Sequence, residues 1–411
     1  MLVSAAQLER CRRPSPAWQR TRSRSWTALA STAAMCSDFR SAEWSHSRWC
    51  WIDHRFFGDC SSIFPTSALA APGMIEVMQT QASTIGVIVR LPYCLVEMGG
   101  QLALPNLDNG LRRRLVARFG DQVESWLDEL PPVLAMLAER WHVELGPLIP
   151  RGHMSVVGWC RTADGNLAVL KVCPDRVRLA NEAAALRRWN TAHVPSVLAA
   201  DVSVGALLIE AIVPGTMFLE SSSYPVPDVA RLLTSLHTAG TPDPSYPSLK
   251  RRVVYLFDSW ARHRTQQPEL VEVVSPDLFE RGRRLASGLA EQPSPTVLLH
   301  GDLTAVNVLD GGDQRGLVAI DPAPCLGDPA FDAIDLVLGP GQSADLWHAD
   351  EVDTITARAA ALAAAIGVDA NRLIDWCIAF AGMTASELAS EPNNSDARIR
   401  TLLALARSGC G

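Results

Sequence analysis

In the tract His300-Gly301-Asp302-Leu303-Thr304-Ala305-Val306-Asn307, a carboxylate and a carboxamide lie five residues apart, and Asp321 follows fourteen residues later. These residue types at these intervals suit phosphoryl transfer. One Asp faces an acceptor hydroxyl, while an Asn and a second Asp hold a divalent cation against nucleotide phosphates. On that template Asp302 is the candidate catalytic residue, and Asn307 and Asp321 are the candidate metal ligands. A single loop Asp is more often a turn or cap residue; the joint spacing separates these three from that background. His300 is expected to serve as a structural hydrogen-bonder. Asp332, in Gly327-Asp328-Pro329-Ala330-Phe331-Asp332, is expected to brace the loop by accepting backbone hydrogen bonds.

The second group of candidates lies upstream. The chain has two lysines, Lys171 and Lys250, against thirty-five arginines. A lysine retained within the apolar run Ala168-Val169-Leu170-Lys171-Val172 is therefore informative. Burying a cation is costly unless it meets an anion, and a compact ammonium on a flexible stem suits a phosphate oxygen. Glu182, eleven residues on in an Ala- and Leu-rich stretch, is the candidate partner that orients it. Ser155, at the end of Pro150-Arg151-Gly152-His153-Met154-Ser155, is a candidate for approach to the phosphates, although this loop lacks a Gly-rich signature and an ordinary turn is an equal reading. Glu210 and Ile212, ending an apolar strand before Val213-Pro214-Gly215, are candidates to lie beside a base.

Several elements must hold these groups. Thr296–Leu299 and Leu317–Ile320 read as short buried strands flanking the Asp302 loop. Met154–Val157, Trp159–Arg161 and Leu167–Val172 read as strands, the last two joined by an Asp-Gly turn. A helix is expected over Arg178–Trp189, then strands at Val197–Ala200 and Ala206–Ile212. Helices are expected over Val226–His237, Arg251–Thr265, Pro276–Ala290, Asp353–Ile366, Ala370–Leu388 and Ser395–Arg407. Organised sequence begins near Leu104, with helical spacing running through to Trp141. Residues 1–97 differ: they carry five of the twelve tryptophans and scattered Arg and Ser without sustained periodicity. They are expected to be a loosely packed or disordered extension, or to reflect a start assigned too far upstream. The resulting division is 1–97 extension, 98–213 nucleotide-binding N-lobe and 214–411 helical C-lobe with the catalytic loop and acceptor site.

The motifs together resemble the aminoglycoside phosphotransferase family, in its streptomycin 6-kinase and hydroxyurea phosphotransferase branch. The residues carrying the resemblance are Val169-Leu170-Lys171-Val172, Glu182, Leu207-Leu208-Ile209-Glu210, Leu299-His300-Gly301-Asp302-Leu303 with Asn307, Ala319-Ile320-Asp321-Pro322 and Gly327 to Asp332. The resemblance covers about residues 104 to 390 and implies an α+β, bilobal protein-kinase-like fold. In such a fold a small antiparallel-sheet N-lobe with one key helix precedes a mainly helical C-lobe. It further implies ATP with Mg²⁺ and transfer of the γ-phosphoryl group to a hydroxyl of a small molecule. Streptomycin-like aminoglycosides are the first acceptor class; Asp328, Asp375, Glu387 and Glu391 are anions available to a polycation and read equally well as solvated helix residues. The branch commonly has a His-His pair after the loop Leu. Here Thr304-Ala305-Val306 stands there, a departure that bears on the acceptor more than on the reaction.

Composition bounds the rest. With 411 residues, 48% apolar and 20% charged, the chain has the make-up of a globular protein of about two domains. A net charge of −7 implies no general affinity for nucleic acid. No apolar run approaches the ~18 residues of a membrane span. Ten cysteines without a CxxC pair fit reduced thiols and a cytoplasmic setting. Two alternatives stay open on sequence alone: a kinase of another small hydroxylated metabolite or of hydroxyurea, and a catalytically weak nucleotide-binding regulator.

Overall fold

The computed structural model describes residues 109–149, 154–221, 223–339, 352–390 and 396–408. The expected extension 1–97, the helical start near Leu104, Pro150 to His153 and Glu391 lie outside the described residues.

Two helices, α1 (Asn109–Phe119) and α2 (Val123–Trp141), precede strands β1 (Val143–Leu148), β2 (Val156–Thr162) and β3 (Leu167–Val172). Helix α3 (Arg176–Trp189) follows, then β4 (Val197–Asp201) and β5 (Ala206–Glu210). The five strands form one antiparallel sheet in the order β1-β2-β3-β5-β4. Two differences from the sequence reading are local. β2 is one strand, because Gly158 interrupts its apolar pattern without breaking its pairing to β3. β1 escapes a pattern search because its Gly146-Pro147 pair resembles a turn.

Alternation along β3 sorts its side chains between two cores. Ala168, Leu170 and Val172 join Ala206 and Leu208 of β5 under Leu111, Leu115, Leu127, Leu130, Leu134 and Leu137 of α1 and α2. The period of two in a strand then turns Lys171 to the opposite face, where α3 lies. Helix α3 starts where Asp175 caps it, its carboxylate accepting from the Arg178 amide at 3.0 Å. Leu179, Ala183, Leu186 and Trp189 of α3 pack into the C-lobe core.

The second lobe comprises α4 (Val226–Ala239), α5 (Leu249–Gln266), α6 (Glu269–Val273), α7 (Pro276–Glu291), α8 (Ile334–Leu338), α9 (Val352–Ile366), α10 (Ala370–Ala389) and α11 (Asp396–Ser408). Embedded among them are β6 (Val297–Leu299), β7 (Val308–Asp310), β8 (Leu317–Ala319) and β9 (Cys325–Gly327). A small antiparallel sheet with one key helix thus leads into a mainly helical lobe, the α+β, protein-kinase-like arrangement. None of the described helices is long and apolar enough to cross a membrane.

Two ribbons fix the catalytic tract. β7 pairs with β8, Val308 opposite Ala319, so Asn307 just before one strand and Asp321 just after the other are drawn together. β6 pairs with β9, Leu299 opposite Cys325, which sets the start of the Asp302 loop. Between them Gly301 has φ +74°, and a Cβ there would lie 2.2 Å from the Ala323 carbonyl oxygen. Only glycine meets both conditions.

Candidate active site

The structure brings Lys171, Glu182 and Asp321 into direct contact. Lys171 Nζ donates to Glu182 Oε1 and Oε2 at 2.9 and 2.7 Å, and to Asp321 Oδ1 at 2.5 Å. One lysine thereby ties the sheet, α3 and the C-lobe together. Burial penalises the ammonium, but the two carboxylates outweigh it and hold Lys171 above the ordinary lysine range. Burial likewise works against ionised Asp321. Lys171 and then Arg178 overcome it and keep this carboxyl below the usual range. Burial holds Glu182 above that range, offset only in part by Lys171. Asp321 has φ +57°, which orders this junction locally in a sparsely populated backbone region.

Arg178 was not foreseen. It sits one helical turn before Glu182 on α3, with Nη2 3.8 Å from Asp321 Oδ1. The i to i+4 spacing that puts Arg178 and Glu182 on one helix face was the available signal. Thirty-five arginines make any one of them hard to single out.

Asp302 and Asn307 meet within the loop. The Asn307 Nδ2 donates to the Asp302 main-chain oxygen at 2.9 Å and lies 3.5 Å from Asp302 Oδ2. With its nitrogen so committed, Asn307 has its amide oxygen to offer a cation. Asp302 Oδ1 accepts from Arg252 Nη2 of α5 at 2.8 Å, and this arginine too was absent from the sequence reading.

Behind the loop, Asp332 is almost fully buried and accepts from the amides of His300 and Gly301 at 2.8 and 2.9 Å. His237 Nε2 of α4 lies 3.1 Å from its Oδ2. Burial opposes ionisation of Asp332, but His237 first, and then the His300 ring and the Gly301 amide, hold its carboxyl low. Burial pushes the His300 imidazole below the ordinary histidine range. Its Nε2 donates to the Ile320 oxygen at 3.0 Å, and its ring stacks on Trp189 at 6.2 Å. Asp332→Ala should therefore leave two buried N–H groups without acceptors. At roughly 1–3 kcal/mol for each, the expected loss is about 2–6 kcal/mol in denaturant titration. Turnover should fall with it, because the loop loses its anchor.

The remaining candidates fall differently. The Glu210 carboxylate is engaged by Arg315, with Nη1 to Oε1 at 2.5 Å, and accepts from the Ser196 amide at 3.0 Å. Its side chain is thus committed away from any base, leaving main chain as the group that could pair. Ile212 is buried just beyond β5, and Ser155 is buried at the start of β2. Of the anions suggested for a polycation, Asp328 is buried and bound by Arg372 Nε at 2.5 Å, by Trp376 Nε1 at 2.8 Å and by the Ala330 amide. Glu387 is also buried, whereas Asp375 is exposed. The Thr304-Ala305-Val306 departure turns inward. Thr304 and Ala305 are 0% and 1% exposed, and Val306 packs against the C-lobe core.

Comparison with known proteins gives this geometry a context. The family model described as aminoglycoside/hydroxyurea antibiotic resistance kinase matches residues 140–391. The chain is 28% identical over 234 residues to a streptomycin 6-kinase of Streptomyces griseus, covering 55% of this chain and 73% of that protein. It is 27% identical over 267 residues to a streptomycin 6-kinase of Streptomyces glaucescens, covering 63% and 82%. It is also 27% identical over 325 residues to a hydroxyurea phosphotransferase of Kitasatospora aureofaciens, covering 76% and 84%. With more than half of its residues matched, the chain belongs to the aminoglycoside/hydroxyurea antibiotic resistance kinase family and is a phosphotransferase.

Proposed function

We propose that the protein transfers the γ-phosphoryl group of ATP, with Mg²⁺, to a hydroxyl of a small molecule, and that a streptomycin-like aminoglycoside is the first acceptor class. The observation that carries this reading is the convergence of Lys171, Glu182 and Asp321 beside the bonded pair Asp302 and Asn307. The N-lobe, 98–213, is assigned to the nucleotide and the C-lobe, 214–411, to catalysis and the acceptor.

The donor set suits the metal. Among the described residues no group of three or more His, Cys, Asp or Glu side chains forms a metal cage. A carboxylate and an amide oxygen are what Mg²⁺ takes when it retains waters and phosphate oxygens. Asn307 and the persistently ionised Asp321 would hold it, and when bound it neutralises phosphate charge. Lys171, oriented by Glu182, contacts the α- and β-phosphates, with Arg178 as a second cation beside Asp321. The main chain of Glu210 to Ile212 faces the base, and Ser155 lies at the phosphate side. Asp302 would orient the acceptor hydroxyl and take its proton as the new P–O bond forms and the bond from the γ-phosphorus to the β,γ-bridging oxygen breaks, with ADP leaving. Catalysis of this kind is mostly positioning and charge stabilisation.

The test is ADP release from ATP and Mg²⁺ with streptomycin, other aminoglycosides, hydroxyurea and simple alcohols, run beside Asp302→Ala. Streptomycin-dependent release well above that control, with phosphorylated product in the mass spectrum, is the expected result. ATP binding without acceptor-stimulated release from any of them would sink the enzyme reading and favour a nucleotide-binding regulator.

A further inference from the structure

Besides Asn307 of its own loop, Asp302 meets a residue from a helix that the catalytic motif does not include. Arg252 of α5 donates through Nη2 to Asp302 Oδ1 and through Nε to the Gly301 carbonyl oxygen, both at 2.8 Å. A planar guanidinium holding a side-chain oxygen and a neighbouring main-chain oxygen fixes both the rotamer of Asp302 and the path of its backbone. Its side chain is only 11% exposed, so the pairing is shielded from water.

Arg252 is itself held. Its guanidinium carbon lies 5.5 Å from the centroid of the Tyr255 ring, one turn along α5. The Tyr255 hydroxyl accepts from Arg118 Nη2 at 2.6 Å, and Arg118 belongs to α1, which packs on the sheet of the other lobe. Arg118 Nε also lies 2.9 Å from the sulfur of Met154, the neighbour of Ser155. Contacts therefore run without a break from Met154, at the head of β2, through Arg118, Tyr255 and Arg252 to Asp302.

We propose that Arg252 is the positioning residue of Asp302 and that Arg118 and Tyr255 form its brace, making α1 a strut between the sheet lobe and the catalytic loop. The inference rests on the kinase reading for its consequence in turnover. Its physical content, the immobilisation of the loop, can be measured without it.

Two measurements test the brace. In steady-state kinetics, Arg252→Ala should lower kcat by about 10²-fold, the order expected when a reacting group shifts by an ångström. The KM for ATP should stay within about 3-fold, because the bonds that join Lys171 to Glu182 and Asp321 do not involve Arg252. Added guanidinium ion should restore part of that kcat, and Arg252→Lys should fall between the two, since one ammonium does not reproduce the fork. Tyr255→Phe keeps the ring but loses the hydroxyl. It and Arg118→Ala should each lower kcat by about 2–5-fold, with the double variant no worse than either single one, as for a shared interaction.

Hydrogen exchange of the peptide spanning 300–307 gives the second readout. Exchange should quicken in Arg252→Ala and, more mildly, in Arg118→Ala, while β3 and β5 remain as protected as in the wild type. Loop exchange equal to wild type in both variants overturns the proposal whatever the protein's activity. So does a kcat lost in Arg252→Ala that neither guanidinium nor Lys restores. If Arg252→Ala fails to fold, Arg252→Lys and the Arg118/Tyr255 pair decide by the same two criteria. Absence of acceptor-dependent turnover in the wild type would instead count against the kinase reading and leave the exchange result to judge the strut.

Discussion

Replacing Asp302 with Asn should lower kcat for phosphoryl transfer by about 10²–10⁴-fold, the range associated with loss of a positioned general base. The change is nearly isosteric. The main-chain bonds that shape the loop use the Asp302 carbonyl oxygen, which accepts from Asn307 Nδ2 and from the Thr304 amide at 3.0 Å. Both survive the substitution. What disappears is a carboxylate able to accept the acceptor's proton and to pair with Arg252 at full charge. Stability should fall by only about 1–2 kcal/mol, the worth of one charge-assisted hydrogen bond in a shielded setting. Nucleotide affinity should hold within about 3-fold, because Lys171, Glu182 and Asp321 are untouched. Turnover within a factor of three of wild type would remove Asp302 from the chemistry.

Lys171→Met should affect both folding and activity. The ammonium that satisfies Glu182 and Asp321 would be gone, while both carboxyl groups stay where the fold puts them. Removing one partner from a buried ion pair costs about 3–5 kcal/mol, and denaturant unfolding should show that loss. The sign with pH is informative. Lys171, followed by Arg178, holds Asp321 low against the effect of burial. A carboxyl whose folded pKa lies below its unfolded one adds stability above the unfolded value, near pH 4, and that stability drains away as pH falls toward the folded value. Without Lys171 this contribution shrinks, so the variant's stability should change less than the wild type's between about pH 6 and pH 3. Adding Glu182→Gln should cost less than the sum of the two single changes, since the variants share one network. A variant as stable as wild type, with the same acid dependence, would show that the pair carries no weight.

How much of this was legible beforehand follows from how each residue is constrained. Asp302, Asn307 and Asp321 could be found because two tight ribbons leave little freedom in their spacing. Lys171 stood out because arginine occupies almost every other cationic position, while the face of β3 it leaves by emerged only with the strand pairing and α3 in place. The six longer helices of the C-lobe were readable from apolar spacing, with ends shifting by a residue or two where caps decide them, as Ser248 does for α5, whereas the five-residue α6 and α8 were too short to show a period. Arg252, Tyr255 and Arg118 were not readable: Arg252 meets Asp302 and Arg118 meets Tyr255 across long stretches of sequence, and nothing local marks an arginine on a helix as facing a loop fifty residues on. Arg178 shares a helix face with Glu182, a signal lost among thirty-five arginines. Asp328 and Glu387 could not be sorted for a related reason: only tertiary packing reveals that both are buried and that Arg372 and Trp376 enclose Asp328.

The helical pair over the outer face of the sheet carries a practical corollary for recombinant work. The family-matched span opens at residue 140, yet Leu111, Leu115, Leu127, Leu130, Leu134 and Leu137, which lie before it, seal Ala168, Leu170, Val172 and Leu208 from water. An expression clone trimmed to the matched span would strip that lid from β3 and β5 and display a contiguous greasy surface, the kind that drives precipitation. Shortened versions intended for crystallisation or screening should therefore retain everything from Asn109 onward.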